Sequence, residues 1–194
     1  MFTCTSLSHS GLTGSVALQG NGTGAALGAC DGAAKSHTLK FDSNGQASMN
    51  LSYAEAGETQ IAASYSEAGA EAGLSMSGSA QFNSVPAGFC VQTGGECSAA
   101  DITCPAFTSA GSAFSLSVQA MGWQSNGDTD FCSGNSPTPS FALNGMALTL
   151  EKVSPTGGVN GVLSPTTYDH VVAVNNLNTI SVMESEVGVF RFRV

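Results

Sequence analysis

Charge is scarce in this chain: Asp, Glu, Lys and Arg make up 10% of its 194 residues, against roughly 25% in a typical soluble domain. The charge present is mostly of one sign, with five Lys and Arg against fourteen Asp and Glu and a formal net charge of −9. A phosphate backbone and an anionic lipid surface both repel such a protein, which argues against nucleic-acid binding and electrostatic membrane docking. No apolar run approaches the ~20 residues that a membrane-spanning helix needs. The opening Met1-Phe2-Thr3-Cys4-Thr5 has neither the basic nor the apolar segment of a secretion signal. We therefore expect an internal piece of a longer exported protein.

Catalytic signatures are also lacking. His9, His37 and His170 are isolated from one another, without the i, i+4 spacing of a metal site, and no Gly-x-Ser-x-Gly elbow occurs. The sequence reads as a non-enzyme that needs no cofactor. A secreted hydrolase, the rival reading, requires His170 beside a carboxylate and a serine.

What the chain does have is cysteine, glycine and alternation. Six cysteines stand at 4, 30, 90, 97, 104 and 132, none in a Cys-x-x-Cys pair, so disulfides and an oxidising extracellular or periplasmic location are the reading. A reactive thiol wants a basic neighbour, and none is near in sequence. Period-two alternation places Ala47, Met49, Leu51 and Tyr53 on one face of a strand, Phe114, Leu116, Val118 and Ala120 on another, and Phe190, Phe192 and Val194 on a third. Five Asn-Gly pairs, at 21–22, 44–45, 126–127, 144–145 and 160–161, read as tight turns because both residues tolerate positive φ. Residues 53–73 are rich in Ala and Glu, but Gly57, Gly69 and Gly73 interrupt any helix, and two strands are expected there.

Two distant segments resemble each other: Tyr53-Ala-Glu-Ala-Gly57-Glu-Thr-Gln-Ile61 and Glu184-Ser-Glu-Val-Gly188-Val-Phe-Arg-Phe192. Each runs from an acidic, Gly-containing turn into an alternating strand, as before a late strand of an immunoglobulin-like (Ig-like) sandwich. Two copies predict an all-β chain of two consecutive Ig-like β-sandwich domains with disulfides, at residues 1–82 and 83–194. Cys4 and Cys30 are the only cysteines of the first half and should pair. Cys90, Cys97, Cys104 and Cys132 allow three connectivities; we favour Cys97–Cys104 as a local clasp and Cys90–Cys132 as the long-range bridge.

Trp123, the only tryptophan, is read as core filling, with an exposed sugar-stacking role as the alternative. Asp128 and Asp130, in Ser125-Asn-Gly-Asp-Thr-Asp130, offer the hard oxygens that calcium prefers, but the spacing is not that of an EF-hand. A solvated loop is the reading there, and the same holds for Asp101. Trp123, Asp128 and Asp130 are the candidate ligand contacts.

Residues 82–90 (Phe-Asn-Ser-Val-Pro-Ala-Gly-Phe-Cys), the run Cys97-Ser-Ala-Ala-Asp-Ile-Thr-Cys104-Pro105, the Phe114 strand, Cys132, Pro137-Thr-Pro139-Ser-Phe141 and the terminal Ser185-Glu-Val-Gly188-Val-Phe190 together resemble the C-terminal region of MshQ-like proteins. That family is associated with the mannose-sensitive haemagglutinin type IV pilus. The resemblance implies export, Ig-like domains and a part in pilus biogenesis, agglutination or attachment, and it supplies no catalytic residues. Partners would be other domains of the parent surface protein, pilus components, or glycans of a host or surface. A carbohydrate-binding module, with or without calcium, is the alternative.

Overall fold

The alternation around Leu116 becomes strand β10, Ala113–Met121, in which Leu116, Val118 and Ala120 are fully buried. The structure, a computed structural model, describes all residues except 8–14, 21, 25–27, 71 and 98–102. His9, Asp101 and Asn21 of the first Asn-Gly pair lie outside the described residues. The chain divides into two compact units, Met1–Val85 and Pro86–Val194. Both are β-sandwiches, and among the described residues the one helical element is a single 3-10 turn at Val174–Asn176.

The first unit contains β1 (Phe2–Ser6), β2 (Ser15–Gly20), β3 (Gly22–Gly24), β4 (Gly28–Ala29), β5 (His37–Leu39), β6 (Met49–Tyr53), β7 (Gly57–Ser66) and β8 (Ser75–Ser84). One sheet has the order β1-β7-β8, another β4-β2-β6, and β3 pairs with β5. The core is small: Phe2, Cys4 and Cys30 are buried, with Leu39, Met49, Tyr53, Ile61 and Ala63 packed around them. Cys4 is bonded to Cys30, so a covalent bridge occupies the centre of this cluster. Leu51, assigned by alternation to the same face as Met49 and Tyr53, is 40% exposed; the core is too narrow to cover the whole β6 face.

The second unit contains β9 (Gly88–Gln92), β10, β11 (Leu143–Ala147), β12 (Thr149–Ser154), β13 (Leu163–Ser164), β14 (Thr167–His170), β15 (Leu177–Glu184) and β16 (Val189–Arg193). Its sheets are β13-β15-β10-β9, β11-β14 and β12-β16. Leu116, Val118 and Val182 from the four-stranded sheet meet Tyr168, Met146, Leu150 and Phe192 from the other strands, with Leu148 between β11 and β12. Burying each large aliphatic side chain stabilises by about 1.5–3 kcal/mol, and this cluster is the larger of the two. On β16, Phe190 and Phe192 turn inward while Arg191 and Arg193 face out to share the Glu151 carboxylate, at 3.3 and 2.6 Å.

Each of the two similar segments leads into a strand, a central one in the first unit and the last one in the second. Gly57 opens β7 and Gly188 precedes β16, both at positive φ. In each, the acidic side chain two residues before the glycine accepts its neighbour's amide at 3.0 Å: Glu55 from Ala56, and Glu186 from Val187. At Gly188 a side chain is sterically barred, since a Cβ would lie 2.6 Å from the Ser154 carbonyl.

Two of the expected turns are something else. Asn144-Gly145 lies inside β11, where the register with β14 shifts between Leu143 and Met146. The pair serves a bulge, which draws on the same tolerance of positive φ as a turn, and Asp169 Oδ1 accepts the Gly145 amide at 2.8 Å. Asn160-Gly161 sits in the connection from β12 to β13, with Gly161 at φ +65° and the Glu184 carboxylate where a Cβ would stand.

Truncation should separate core from surface along these strands. Leu116→Ala is expected to cost the protein about 2–5 kcal/mol of unfolding free energy, whereas Leu143→Ala, at a position 53% exposed, should cost little. Guanidinium denaturation of the two variants checks this.

Candidate functional site

Strand β10 ends at Met121, and the chain then makes a long excursion before β11. Backbone pairing fixes the excursion to the strand it left: Gly122 N donates to Ser136 O at 2.7 Å, and Thr138 N donates to Ala120 O at 3.0 Å. The Cys90–Cys132 disulfide ties its middle to β9. Phe131 lies over Gly88, where a Cβ would come within 2.3 Å of the ring, so only glycine lets the loop sit this close to β9.

Asp128 and Asp130 build this loop. Asp128 Oδ1 accepts the Asp130 amide at 3.0 Å and its Oδ2 takes Asn135 Nδ2 at 2.7 Å, while Asp130 Oδ1 accepts the Cys132 amide at 3.2 Å. Asn135 Nδ2 also reaches Gly122 O at 2.9 Å. Among the described residues no three His, Cys, Asp or Glu side chains group as a metal site would require. Trp123 projects from the start of this loop and is 71% exposed. The core-filling reading of Trp123 is thus overturned: strand alternation ends at Met121, and Gly122 turns the chain away from the core.

The far end of the loop is anchored from inside. Asn176 is fully buried and its Nδ2 donates to Phe141 O at 2.8 Å and to Pro139 O at 3.2 Å. Its Oδ1 lies 2.5 Å from His170 Nε2 and 3.4 Å from the Ala120 amide. Asn176 and its neighbour Asn175 both have left-handed backbone, φ 55° and 53°, which costs of order 1–3 kcal/mol per residue and persists only where surroundings impose it. Here the buried amide imposes it. His170 is fully buried, with Nδ1 2.8 Å from the Tyr168 hydroxyl. Asn178 brackets Val171, accepting its amide at 3.0 Å and donating to its carbonyl at 2.9 Å, and its Nδ2 flanks His170 Nε2 at 3.1 Å. Phe89 and Phe141 pack around the imidazole, with ring centroids 6.0 and 5.3 Å away.

Because both Nδ2 protons of Asn176 are spent on carbonyls, its Oδ1 must accept from His170, which places the imidazole proton on Nε2. Nδ1 then accepts from Tyr168. Among the described residues the side-chain partners of the His170 ring are Tyr168, Asn176 and Asn178, none of them a serine or a carboxylate. Sequence reasoning treated His170 as an isolated histidine and missed Asn176 and Asn178. The available signals were the alternation of Tyr168 with His170 on β14, and the Asn175-Asn176 pair, two adjacent residues of a type that tolerates positive φ.

Residues 1–79 match the first Ig-like domain of DUF6701, a domain of unknown function, and residues 85–180 match its second domain. The chain belongs to the DUF6701 family. No curated protein and no solved structure matches it. In this DUF6701 chain the second-domain match takes in the whole Trp123 loop and the His170–Asn176 anchor, and it ends within β15.

At its other end the DUF6701 second domain carries a groove of about 480 Å³ lined by Val91, Phe107, Phe114, Phe190 and Phe192, beside the Cys97–Cys104 bridge. Glu184 also borders it, buried, with Oε2 unpaired among the described residues.

Burial lowers the His170 pKa, partly offset by the Asn176 hydrogen bond, and pushes the Tyr168 phenol up to about 12. The imidazole is neutral in the native protein at neutral pH. A histidine whose native pKa lies below its unfolded value contributes stability above the unfolded value, ~6.5, and loses it as pH falls toward the native one. The thermal midpoint should therefore drop between about pH 7 and pH 5. In His170→Gln the midpoint should be lower throughout, with that part of the slope removed; differential scanning calorimetry of both proteins checks it.

Proposed function

We propose that the chain is a structural and adhesive module of an exported bacterial surface protein, pilus-associated in the manner of MshQ-like proteins. The observation that carries this reading is the full pairing of six cysteines into three bridges, Cys4–Cys30, Cys90–Cys132 and Cys97–Cys104. Such pairing suits an oxidising exterior or periplasm. No helix among the described residues is long and apolar enough to cross a membrane. The pilus part of this reading rests on the resemblance of residues 82–90, the Cys97–Cys104 run and the terminal Ser185–Phe190 segment to MshQ-like proteins, and the DUF6701 match supports the Ig-like scaffold.

The work of such a module is mechanical and recognitional: braced sandwiches hold their loops in fixed positions for contact with other domains of the parent protein or with pilus components. Alkylation of unreduced cells followed by mass spectrometry should find all six cysteines unlabelled. Labelling at most of them would place the protein in a reducing compartment and remove the reading.

One observation favours a second reading, carbohydrate binding. An indole 71% exposed on a loop held by a disulfide and a buried asparagine is a preformed stacking surface for a sugar ring. Calcium is not required for it, since Asp128 and Asp130 already serve the loop. On a glycan array this reading predicts binding that Trp123→Ala abolishes and that a chelator leaves unchanged. A blank array leaves the structural reading standing alone.

A further inference from the structure

The three-stranded sheet of the first unit has two edges, and they are treated differently. The outer edge of β1 is covered: Phe2 exchanges both backbone hydrogen bonds with Lys35 at 2.7 Å, Gly32 N donates to Cys4 O at 2.8 Å, and Ser6 N donates to Cys30 O at 3.3 Å. The outer edge of β8 has no backbone partner among the described residues. From Ser75 to Gln81 every residue of this ten-residue strand is exposed.

Proteins usually blunt such an edge with charge, proline or a bulge. The sequence Ser-Met-Ser-Gly-Ser-Ala-Gln-Phe-Asn-Ser has no charged residue and no proline, and its register against β7 is unbroken from Gly57↔Ser84 to Ser66↔Ser75.

The hydrogen-bond phase of β8 follows from β7. Ser64 N donates to Met1 O, and Glu58 O accepts from Leu7, so the even-numbered residues of β7 face β1 and the odd-numbered ones face β8. Their partners across the ladder are Ser84, Phe82, Ala80, Gly78 and Met76. The residues left with N–H and C=O pointing outward are therefore Ser75, Ser77, Ser79, Gln81 and Asn83.

We propose that β8 is a self-association edge, pairing antiparallel with β8 of a second copy about a two-fold axis at Ser79. In this register Ser79 meets Ser79, Ser77 meets Gln81 and Ser75 meets Asn83, all of them outward-facing residues. The five pairs exchange about ten backbone hydrogen bonds. The alternate, closely approaching pairs set Met76 of one copy, 56% exposed in the single chain, against Phe82 of the other, and Gly78 against Ala80. The arrangement is self-complementary, as a two-fold contact must be.

A second copy is the occupant that the strand itself matches: about the axis at Ser79, polar residues meet polar ones, the large Met76 meets Phe82, and the small Gly78 meets Ala80. Two chains of net charge −9 repel one another, so a contact between copies needs a surface on which no like charges meet. The paired β8 strands oppose only serine, asparagine, glutamine and small or apolar side chains.

Analytical ultracentrifugation of the 194-residue chain over a concentration series tests this, with correct folding of each variant verified by far-UV circular dichroism. The wild type should rise from the monomer mass of 19.5 kDa toward twice that value. Ser79→Lys and Ser79→Asp, each of which sets two like charges against each other on the axis, should remain monomeric. An equimolar mixture of the two should associate again, and Ser64→Lys on neighbouring β7 should behave as wild type. A wild type that stays monomeric, a Ser79→Lys protein that associates as the wild type does, or a mixture that fails to recover would overturn the proposal.

Discussion

The Cys4–Cys30 bridge sits where a larger domain would place aliphatic side chains. Around it gather Phe2 and a ring of half-buried residues, and through it β1 is joined to the segment that covers β1's outer edge. A small sandwich buries proportionally little surface, so closing a loop covalently supplies stability that its apolar contacts cannot. In the chain-entropy description, bridges spanning 26 and 42 residues are each worth about 3–4 kcal/mol. That is a large share of the 5–15 kcal/mol that holds a typical domain together.

The second unit uses its long-range bridge differently. Its apolar core stands without cysteine at the centre, and Cys90–Cys132 instead fastens an excursion that has no sheet of its own. The two carboxylates of that excursion cap its turns, the Asn176 amide holds its end from below, and the outcome is an exposed indole on a fixed support. Energy spent on two left-handed asparagines and on burying His170 makes sense as the cost of that fixity.

Much of the fold was legible in the sequence because the physics that sets it is local. Alternation from Phe114 to Ala120 identifies a half-buried strand whatever packs on it, and the paired acidic-glycine segments are alike because both need a residue that tolerates positive φ, at Gly57 and at Gly188. Of the three connectivities that the sequence left open for the last four cysteines, the favoured one, with Cys97–Cys104 closing a short loop, is the one found.

The illegible parts depend on what lies across space. An Asn-Gly pair reports tolerance of positive φ and cannot say whether a turn or a bulge will use it, as Asn144-Gly145 shows. Trp123 carries no mark of exposure, because its position is decided by Gly122 and by a disulfide to another strand. His170, Asn176 and Asn178 form a network only once β14 and β15 are brought together.

The central claim is that covalent closure stands in for missing core in the first unit. The direct measurement is hydrogen exchange of the backbone amides of β1 and β7 with and without reductant. The account predicts that reduction of Cys4–Cys30 collapses protection in both strands while β10 and β15, resting on the larger apolar core, retain theirs. Equal protection of β1 and β7 before and after reduction would contradict it.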